Sequence, residues 1–299
     1  MKQIVFILLL GSAAVSCQKS KETVDSTASA DSVEASAFTA ERDAFFSNLT
    51  APAEAAAQIQ LSAAEFSPKL MNDPKLFTQY ANNEVKAAAN LGVYLSDLNY
   101  SIAYKQSATT KEYFSAVHEL SKAIGGEAAT LEFLKKRYND NIAQNDSVKT
   151  VLNDLVKKSV GNLQGTEKER LAGITMGSYQ IENLHLALGT LQSYPKDILP
   201  SDARQVILIP LFKMVLEQQR NVEDIYNFLK SVSDPQNPDQ NPNYPYYAKA
   251  FEELIGIYRK LDVDEKIANN QGAELMNDAV VQELSEKVNA IRNKIVSAE

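Results

Sequence analysis

Two seven-residue stretches, LGVYLSD at residues 91–97 and MGSYQIE at residues 176–182, share a pattern that determines the fold we predict. In each stretch a tyrosine lies two residues after a glycine, and an acid lies three residues after the tyrosine. Both stretches belong to longer runs whose apolar residues recur at helical spacing. A glycine in mid-helix costs about 1 kcal/mol relative to alanine, so it needs a structural reason. We predict that two helices cross closely at these glycines.

The tyrosine and the acid of each stretch are three residues apart and therefore share one face of their helix. The pairs are Tyr94 with Asp97 and Tyr179 with Glu182, and His185 extends the second face. Three interpretations stay open. The tyrosine hydroxyls could bond to the carboxylates in the core, because buried polar groups need partners. The five side chains could instead line a polar pocket for a small ligand, or the echo could be coincidental.

The rest of the chain has the same helical character, with scarce glycine and apolar residues at helical spacing almost throughout. Thr109 and Thr110 can cap a helix that ends at Gly125. Thr166 begins a capping box that opens another helix, and Pro210 should kink a third helix or break it in two. We predict an all-α fold of about ten packed helices, arranged as antiparallel helical hairpins.

The predicted helical domain covers residues 39–299. Its longest loop, residues 234–246, contains four prolines and marks a possible subdivision. The helices after this loop carry apolar stripes that must be covered by other elements. We therefore expect one domain.

The N-terminal residues read as an export signal. Residues 1–16 contain the positively charged Lys2, an apolar run and a run of small residues, which are the parts of a signal peptide. The apolar run is far shorter than the roughly 20 residues that span a bilayer. Residues 17–38 begin with Cys17, the single cysteine of the chain, and are otherwise mostly small or polar. Such a segment cannot bury enough apolar surface to fold, so we predict a flexible tether.

The sequence Ala14-Val15-Ser16-Cys17 resembles the lipobox of bacterial lipoproteins. In that family the cysteine takes a diacylglycerol and becomes the new N-terminus. The residue three before the cysteine is usually leucine, and here it is Ala14. The alternative is an ordinary signal peptide, cut near Ser16, that leaves Cys17 free. The resemblance implies a membrane partner through the lipid on Cys17. Gln18 replaces the aspartate of the inner-membrane retention signal, so the expected location is the outer membrane, facing the periplasm or the cell surface.

Composition argues against a nucleic-acid partner. The chain has 30 Lys and Arg against 38 Asp and Glu, a net charge of −8. It contains no block of five or six basic residues, and binding to phosphates needs clustered cations. We predict no nucleic-acid partner.

A metal site is not predicted either. Glu182 and His185 have the Glu-x-x-His spacing of helical di-iron proteins, which need a second such motif. The only other histidine, His118, follows Ser115 at that spacing, and we expect its neighbour Glu119 to point elsewhere on the helix. We therefore predict no metal and no cofactor.

Part of the domain resembles a group of uncharacterised all-helical lipoproteins from Bacteroidetes. The resemblance rests on the run LSAAEF at residues 61–66, on LGVYLSDLNY at residues 91–100, and on GSYQIE at residues 177–182. It covers about two thirds of the chain that follows the signal peptide. It implies a lipid-anchored helical domain and brings no activity with it.

These patterns together predict a lipid-anchored protein of the cell envelope that acts by binding. Its partner would be an envelope protein, met through an exposed helix face, or a small ligand held between hairpins. The alternative is a metal- or small-ligand-binding protein or an enzyme, with a polar site between helices around Asp97, Glu182 and His185. No specific catalytic activity is predicted.

Overall fold

The structure is a computed structural model, and it is all-helical where it describes the chain. The described residues are 42–43, 45–46, 54–126, 128–141, 145–166, 168–194, 201–232, 244–261 and 279–297. They contain ten helices of eight residues or more, and no β-strand lies among them. The ten helices are α1 (Glu54–Leu61), α2 (Glu84–Ala103), α3 (Ser107–Ala123), α4 (Ala128–Asn141), α5 (Asn145–Gly161), α6 (Glu169–Ser193), α7 (Ser201–Glu217), α8 (Gln219–Ser231), α9 (Tyr244–Leu261) and α10 (Ala279–Val296).

Helices α2 and α6 lie at the centre and pack against each other more extensively than any other pair. In α2, 17 of 20 residues are buried, and in α6, 18 of 25 are buried. A helix that is buried on all sides has no solvent face for its polar residues. Every polar side chain on these two helices therefore needs a partner inside the protein, and this requirement shapes the candidate site.

The chain between α1 and α2 is the least regular described segment. Residues 62–76, which we call the strap, contain two short 3₁₀ turns, Pro68–Leu70 and Pro74–Leu76. A four-residue helix, Phe77–Tyr80, follows before α2 begins. An irregular backbone has few internal hydrogen bonds, so the strap must find partners on the helices that it crosses.

Two sequence signals can be compared directly with helix ends. Gly125 ends α3 with a positive φ of 101°, and the Gly126 amide donates to Ser121 O at 2.8 Å, which is a Schellman cap. Helix α7 continues through Pro210, so of the two predicted outcomes, a kink or a break, the break is wrong. The proline removes one helical hydrogen bond, but the buried side chains of Leu208, Leu211 and Phe212 hold both halves on the core.

The helices after the proline-rich loop share the core of the helices before it. Helix α9 packs on α8 and α10, and α10 packs on α6. The Tyr258 hydroxyl of α9 donates to Val215 O of α7 at 2.9 Å. Buried apolar residues from Phe45 to Ile295 form one cluster. The predicted all-α domain of about ten packed helices is confirmed, whereas residues 1–38 and most of the loop at 234–246 lie outside the described residues.

Candidate functional site

Gly92 and Gly177, the two glycines at matching positions of the repeated pattern, occupy different environments. A Cβ atom on Gly92 would overlap Thr175 O and lie 2.6 Å from Tyr179 N, so α2 touches the backbone of α6 there. A Cβ atom on Gly177 would instead lie 3.1 Å from the ring of Phe251, on α9. The predicted close crossing is therefore confirmed at Gly92 and wrong at Gly177. The echo in sequence is not a symmetric contact in space.

The hydroxyls of Tyr94 and Tyr179 bond to groups other than the predicted carboxylates. The Tyr94 hydroxyl donates to the backbone carbonyl of Asp73 at 2.7 Å. The Tyr179 hydroxyl accepts a hydrogen bond from Asn99 Nδ2 at 3.0 Å. The expected tyrosine–carboxylate bonds are therefore wrong. A backbone carbonyl and a side-chain amide satisfy the hydroxyls, which leaves the carboxylates to find other partners.

Glu182 pairs with an arginine from the last described helix. Its carboxylate accepts from Arg292 Nε at 2.8 Å and from Arg292 Nη2 at 3.0 Å. The Glu182 side chain is fully buried, and that of Arg292 is 12% exposed. Such a bidentate ion pair between arginine and a carboxylate is strong and fixes the orientation of both groups. Burial would lower the pKa of Arg292, but the charge of Glu182 reverses this effect and raises it.

Sequence reasoning missed Arg292, although a signal was present. Arg292 lies four residues after Val288 and three before Ile295, both of which belong to the apolar stripe of α10. A charged residue at that spacing lies beside the buried face of a helix. The spacing thus indicates a buried cation, but it does not indicate which acid receives it.

Asp97 lies beside the Glu182 carboxyl group and faces the strap. Its Oδ2 accepts a hydrogen bond from the backbone N–H of Asn72 at 3.0 Å. Its buried Oδ1 has no hydrogen-bond donor within the described part of the chain. Burial, and next the charge of Glu182, raise the pKa of Asp97 well above its usual range. Both effects favour the neutral form of Asp97, because a second negative charge beside Glu182 would be buried and repelled.

His185 also binds the strap. Its Nε2 lies 3.1 Å from Leu70 O, and its Nδ1 lies 2.7 Å from the Asn289 side-chain oxygen. A carbonyl oxygen only accepts hydrogen bonds, so the contact with Leu70 O is a hydrogen bond in the tautomer that carries the proton on Nε2. Arg292 Nη2 donates to the same Leu70 carbonyl at 3.3 Å. His185 and Glu182 share a helix face, as predicted, but they bind different partners and do not converge on one point.

Three further tyrosines fix the strap. The Tyr113 hydroxyl donates to Asn72 O at 2.5 Å, and the Tyr104 hydroxyl donates to Ala64 O at 2.8 Å. The Tyr100 hydroxyl accepts from Ser67 N at 3.0 Å. Together with Tyr94, Asp97, His185 and Arg292, these side chains satisfy the backbone of the strap. The buried polar side chains that the repeated pattern predicted thus hold the strap, an irregular segment of the chain, against the helices.

The second histidine was misjudged. His118 is buried, and its Nδ1 lies 3.0 Å from Glu119 Oε1, so the expectation that Glu119 points away is wrong. Its Nε2 lies 3.0 Å from Glu132 Oε1 on α4. The imidazole lies between two carboxylates, and its Nε2 makes no hydrogen bond within the described part of the chain. Among the residues that the structure describes, no group of three or more histidine, cysteine or acidic side chains is arranged to hold a metal ion.

Two predictions concern the relation of the chain to a membrane. Cys17 and residues 1–38 lie outside the described residues, so the lipid anchor stays a prediction. No described helix is both long enough and apolar enough to span a bilayer. Comparisons of the chain with protein-family models, with curated proteins and with solved structures found no match.

Proposed function

We propose that this protein is a lipid-anchored component of the cell envelope that acts by binding another envelope protein. The proposal is supported first by the lipobox-like sequence before Cys17. It is supported next by the use made of the buried polar residues. Tyr94, Asp97 and His185 hold the strap, and Glu182 holds α10. Since these groups are engaged internally, the outer faces of the helices are the surface left for a partner.

The observation that carries a binding role over a catalytic one is the ion pair of Glu182 with Arg292. Both oxygens of the carboxylate are already held by the guanidinium group. A catalytic acid or base must reach the proton that it transfers, within about 3 Å or through one water. Glu182 is fully buried and committed to Arg292, so it is poorly placed for that role.

The anchor is tested by mass and location. The protein purified from its native membrane should have a denatured mass that shows acylated Cys17 and the loss of residues 1–16. Cys17→Ser should move the protein from the membrane fraction to the soluble fraction, because two or more acyl chains on Cys17 would supply the stable membrane affinity. An unmodified Cys17 in the wild-type protein would overturn the anchor, whatever the protein binds.

The binding role is tested separately, with native mass spectrometry of the same preparation and cross-linking in intact cells. A reproducible protein adduct, kept by Cys17→Ser in solution, would support a protein partner. A bare mass together with the absence of cross-links would contradict it. Because the variant lacks the anchor but keeps the helical domain, failure of the anchor and failure of the binding role give different results.

A second function, binding of a small ligand between the helices, is favoured by one observation. Asp97 Oδ1 and Asn72 Nδ2 are buried, and neither makes a hydrogen bond within the described part of the chain. Asp97 is also the carboxyl group whose pKa is raised. Buried polar atoms without partners, together with a perturbed pKa, are typical of functional sites. A small adduct in the native mass that is lost in Asp97→Ala and kept in Asp73→Asn would support this function. An unchanged adduct in both variants would exclude Asp97 from the site.

A further inference from the structure

The strap is attached to the domain through its backbone and through a few apolar side chains. Between residues 62 and 76, only Ser62, Met71 and Asn72 are buried, while Phe66, Leu70 and Leu76 are partly buried against the core. A segment with so few fully buried apolar side chains can open at a lower free energy than the whole domain. Its position therefore depends in part on the hydrogen bonds that the helices make to it.

Asp97 connects the strap to the buried charged groups of Glu182 and Arg292. Its carboxyl group accepts the N–H of Asn72 from the strap on one side and lies beside Glu182 on the other. Arg292 supplies one positive charge, and Glu182 already uses it through two hydrogen bonds. If Asp97 carried a charge as well, the cluster would hold two carboxylates for one guanidinium group. A buried excess charge of this kind is costly unless it gains a partner or water.

We propose that the strap is a proton-controlled latch, closed over the helices while Asp97 is protonated and opened locally, with the helices intact, when Asp97 ionises. Opening lets water reach the new carboxylate, which removes the cost of the buried charge. The proposal rests on the buried cluster alone and does not depend on the lipid anchor or on the partner. It adds a way in which pH would expose the helix faces beneath the strap.

The other groups around Asp97 do not change charge in the same way. Tyr94 and Tyr100 on α2 and Tyr113 on α3 have their pKa values raised, chiefly by burial, so they stay neutral through the neutral range. Arg292 on α10 has a raised pKa and stays positive. Glu182 on α6 is its ion-pair partner. Asp73 on the strap and His185 at Leu70 O are the titratable groups that an experiment must separate from Asp97.

The effect of pH on the opening of the strap has a definite direction. In the open state Asp97 is solvated and its pKa is close to the ordinary value of about 3.9. In the closed state the pKa of Asp97 is raised, so the closed state binds the proton more tightly. Raising the pH between these two values favours opening by up to roughly tenfold for each pH unit. Above the pKa of the closed state, the population of the open state levels off.

Hydrogen exchange of the purified wild-type protein, followed by mass spectrometry from pH 5 to pH 9, tests the latch. Rates are converted to protection factors, which removes the intrinsic pH dependence of exchange. Peptides from the strap should lose protection at least tenfold over this range. Peptides from the centre of α2 report global unfolding, which also exposes Asp97, so they should lose protection by a similar factor but remain much more strongly protected than the strap at every pH.

Three variants identify the titrating group. Asp97→Asn keeps an acceptor for Asn72 N–H and a donor toward Glu182, so protection of its strap should be independent of pH. Asp73→Asn and His185→Gln remove the other two titratable groups and should keep the wild-type slope. The latch is overturned if strap protection in the wild type is flat with pH, or if the strap has the same protection factor as the centre of α2 at each pH, since it would then open only by global unfolding. Because that comparison uses the wild-type protein, it decides the question even if Asp97→Asn does not fold. An equal slope in a folded Asp97→Asn variant would also overturn it.

Discussion

Gly92 and Thr175 bring the two central helices into backbone contact: a Cβ atom on Gly92 would overlap the Thr175 carbonyl oxygen. The overlapped atom belongs to a helix backbone, so it cannot move aside as a flexible side chain would. Both helices are buried on nearly every side, which leaves little room for either to shift. The crossing therefore depends on the absence of a side chain at one position.

Gly92→Ala should destabilise the protein by about 3 kcal/mol or more, because overpacking of a rigid core is costly. Gly256→Ala is the matched control. Gly256 lies in α9, and a Cβ atom there would meet nothing within 4 Å. Its replacement should be neutral or stabilising by up to about 1 kcal/mol, the difference in helix propensity. Urea unfolding followed by circular dichroism measures both, and equal effects would contradict the close crossing.

Arg292→Met should cost about 3–5 kcal/mol, because it leaves Glu182 as an uncompensated buried charge. The double variant Glu182→Gln, Arg292→Met should cost less than the two single variants added together. The exposed pair of Lys260 and Glu283, at 2.7 Å, is the control. Lys260→Met should change the free energy of unfolding by no more than about 1 kcal/mol.

Tyr113→Phe should destabilise the protein by about 1–3 kcal/mol, because it leaves the buried carbonyl of Asn72 without a donor. Tyr226→Phe serves as the control, since among the described residues the Tyr226 hydroxyl makes only a long contact of 3.5 Å to Glu252 at the surface. It should change the free energy of unfolding by less than about 0.5 kcal/mol. Chemical denaturation at neutral pH measures the free energy of unfolding of both variants. If Tyr113→Phe left that free energy unchanged, the strap would not depend on this hydrogen bond.

The global stability should also depend on pH through Asp97. Its raised pKa means that the folded state binds the proton more tightly than the unfolded state does. This contribution is complete below the ordinary pKa of about 3.9 and is lost as the pH rises through the folded pKa. The free energy of unfolding of Asp97→Asn, relative to wild type, should therefore increase with pH. Urea titrations at pH 5, 6, 7 and 8 give this difference, and parallel curves would argue against a protonated Asp97.

The helices were predictable because their apolar periodicity is local information. The Gly125 cap was predictable for the same reason, since a helix end depends on a few neighbouring residues. The close crossing at Gly92 could also be inferred, because a mid-helix glycine has few other uses. The environment of Gly177 could not be inferred, since a repeated motif does not determine how each helix is rotated about its axis.

The polar partners were the part that sequence could not supply. Arg292 lies 110 residues from Glu182, and nothing in its local pattern selects that acid. The strap carries no periodic signal, and its hydrogen bonds use backbone atoms, which every residue possesses. Tyr94 therefore looked like a partner for a carboxylate when its actual partner is the carbonyl of Asp73. Cys17 is the one predicted site residue for which the described structure offers no comparison.

The contacts of helix α10 have a consequence for the order of folding. Arg292 neutralises Glu182, and the last carbonyls of the helix, Ile295 O and Val296 O, are capped by Asn90 and Tyr80 from the first half of the domain. A chain that emerges from the ribosome with its N-terminus first holds Glu182 without its cation until α10 has been made. Contacts this distant in sequence slow folding. The helices that precede α10 therefore cannot reach their final, charge-balanced packing until a cation from a later part of the chain arrives.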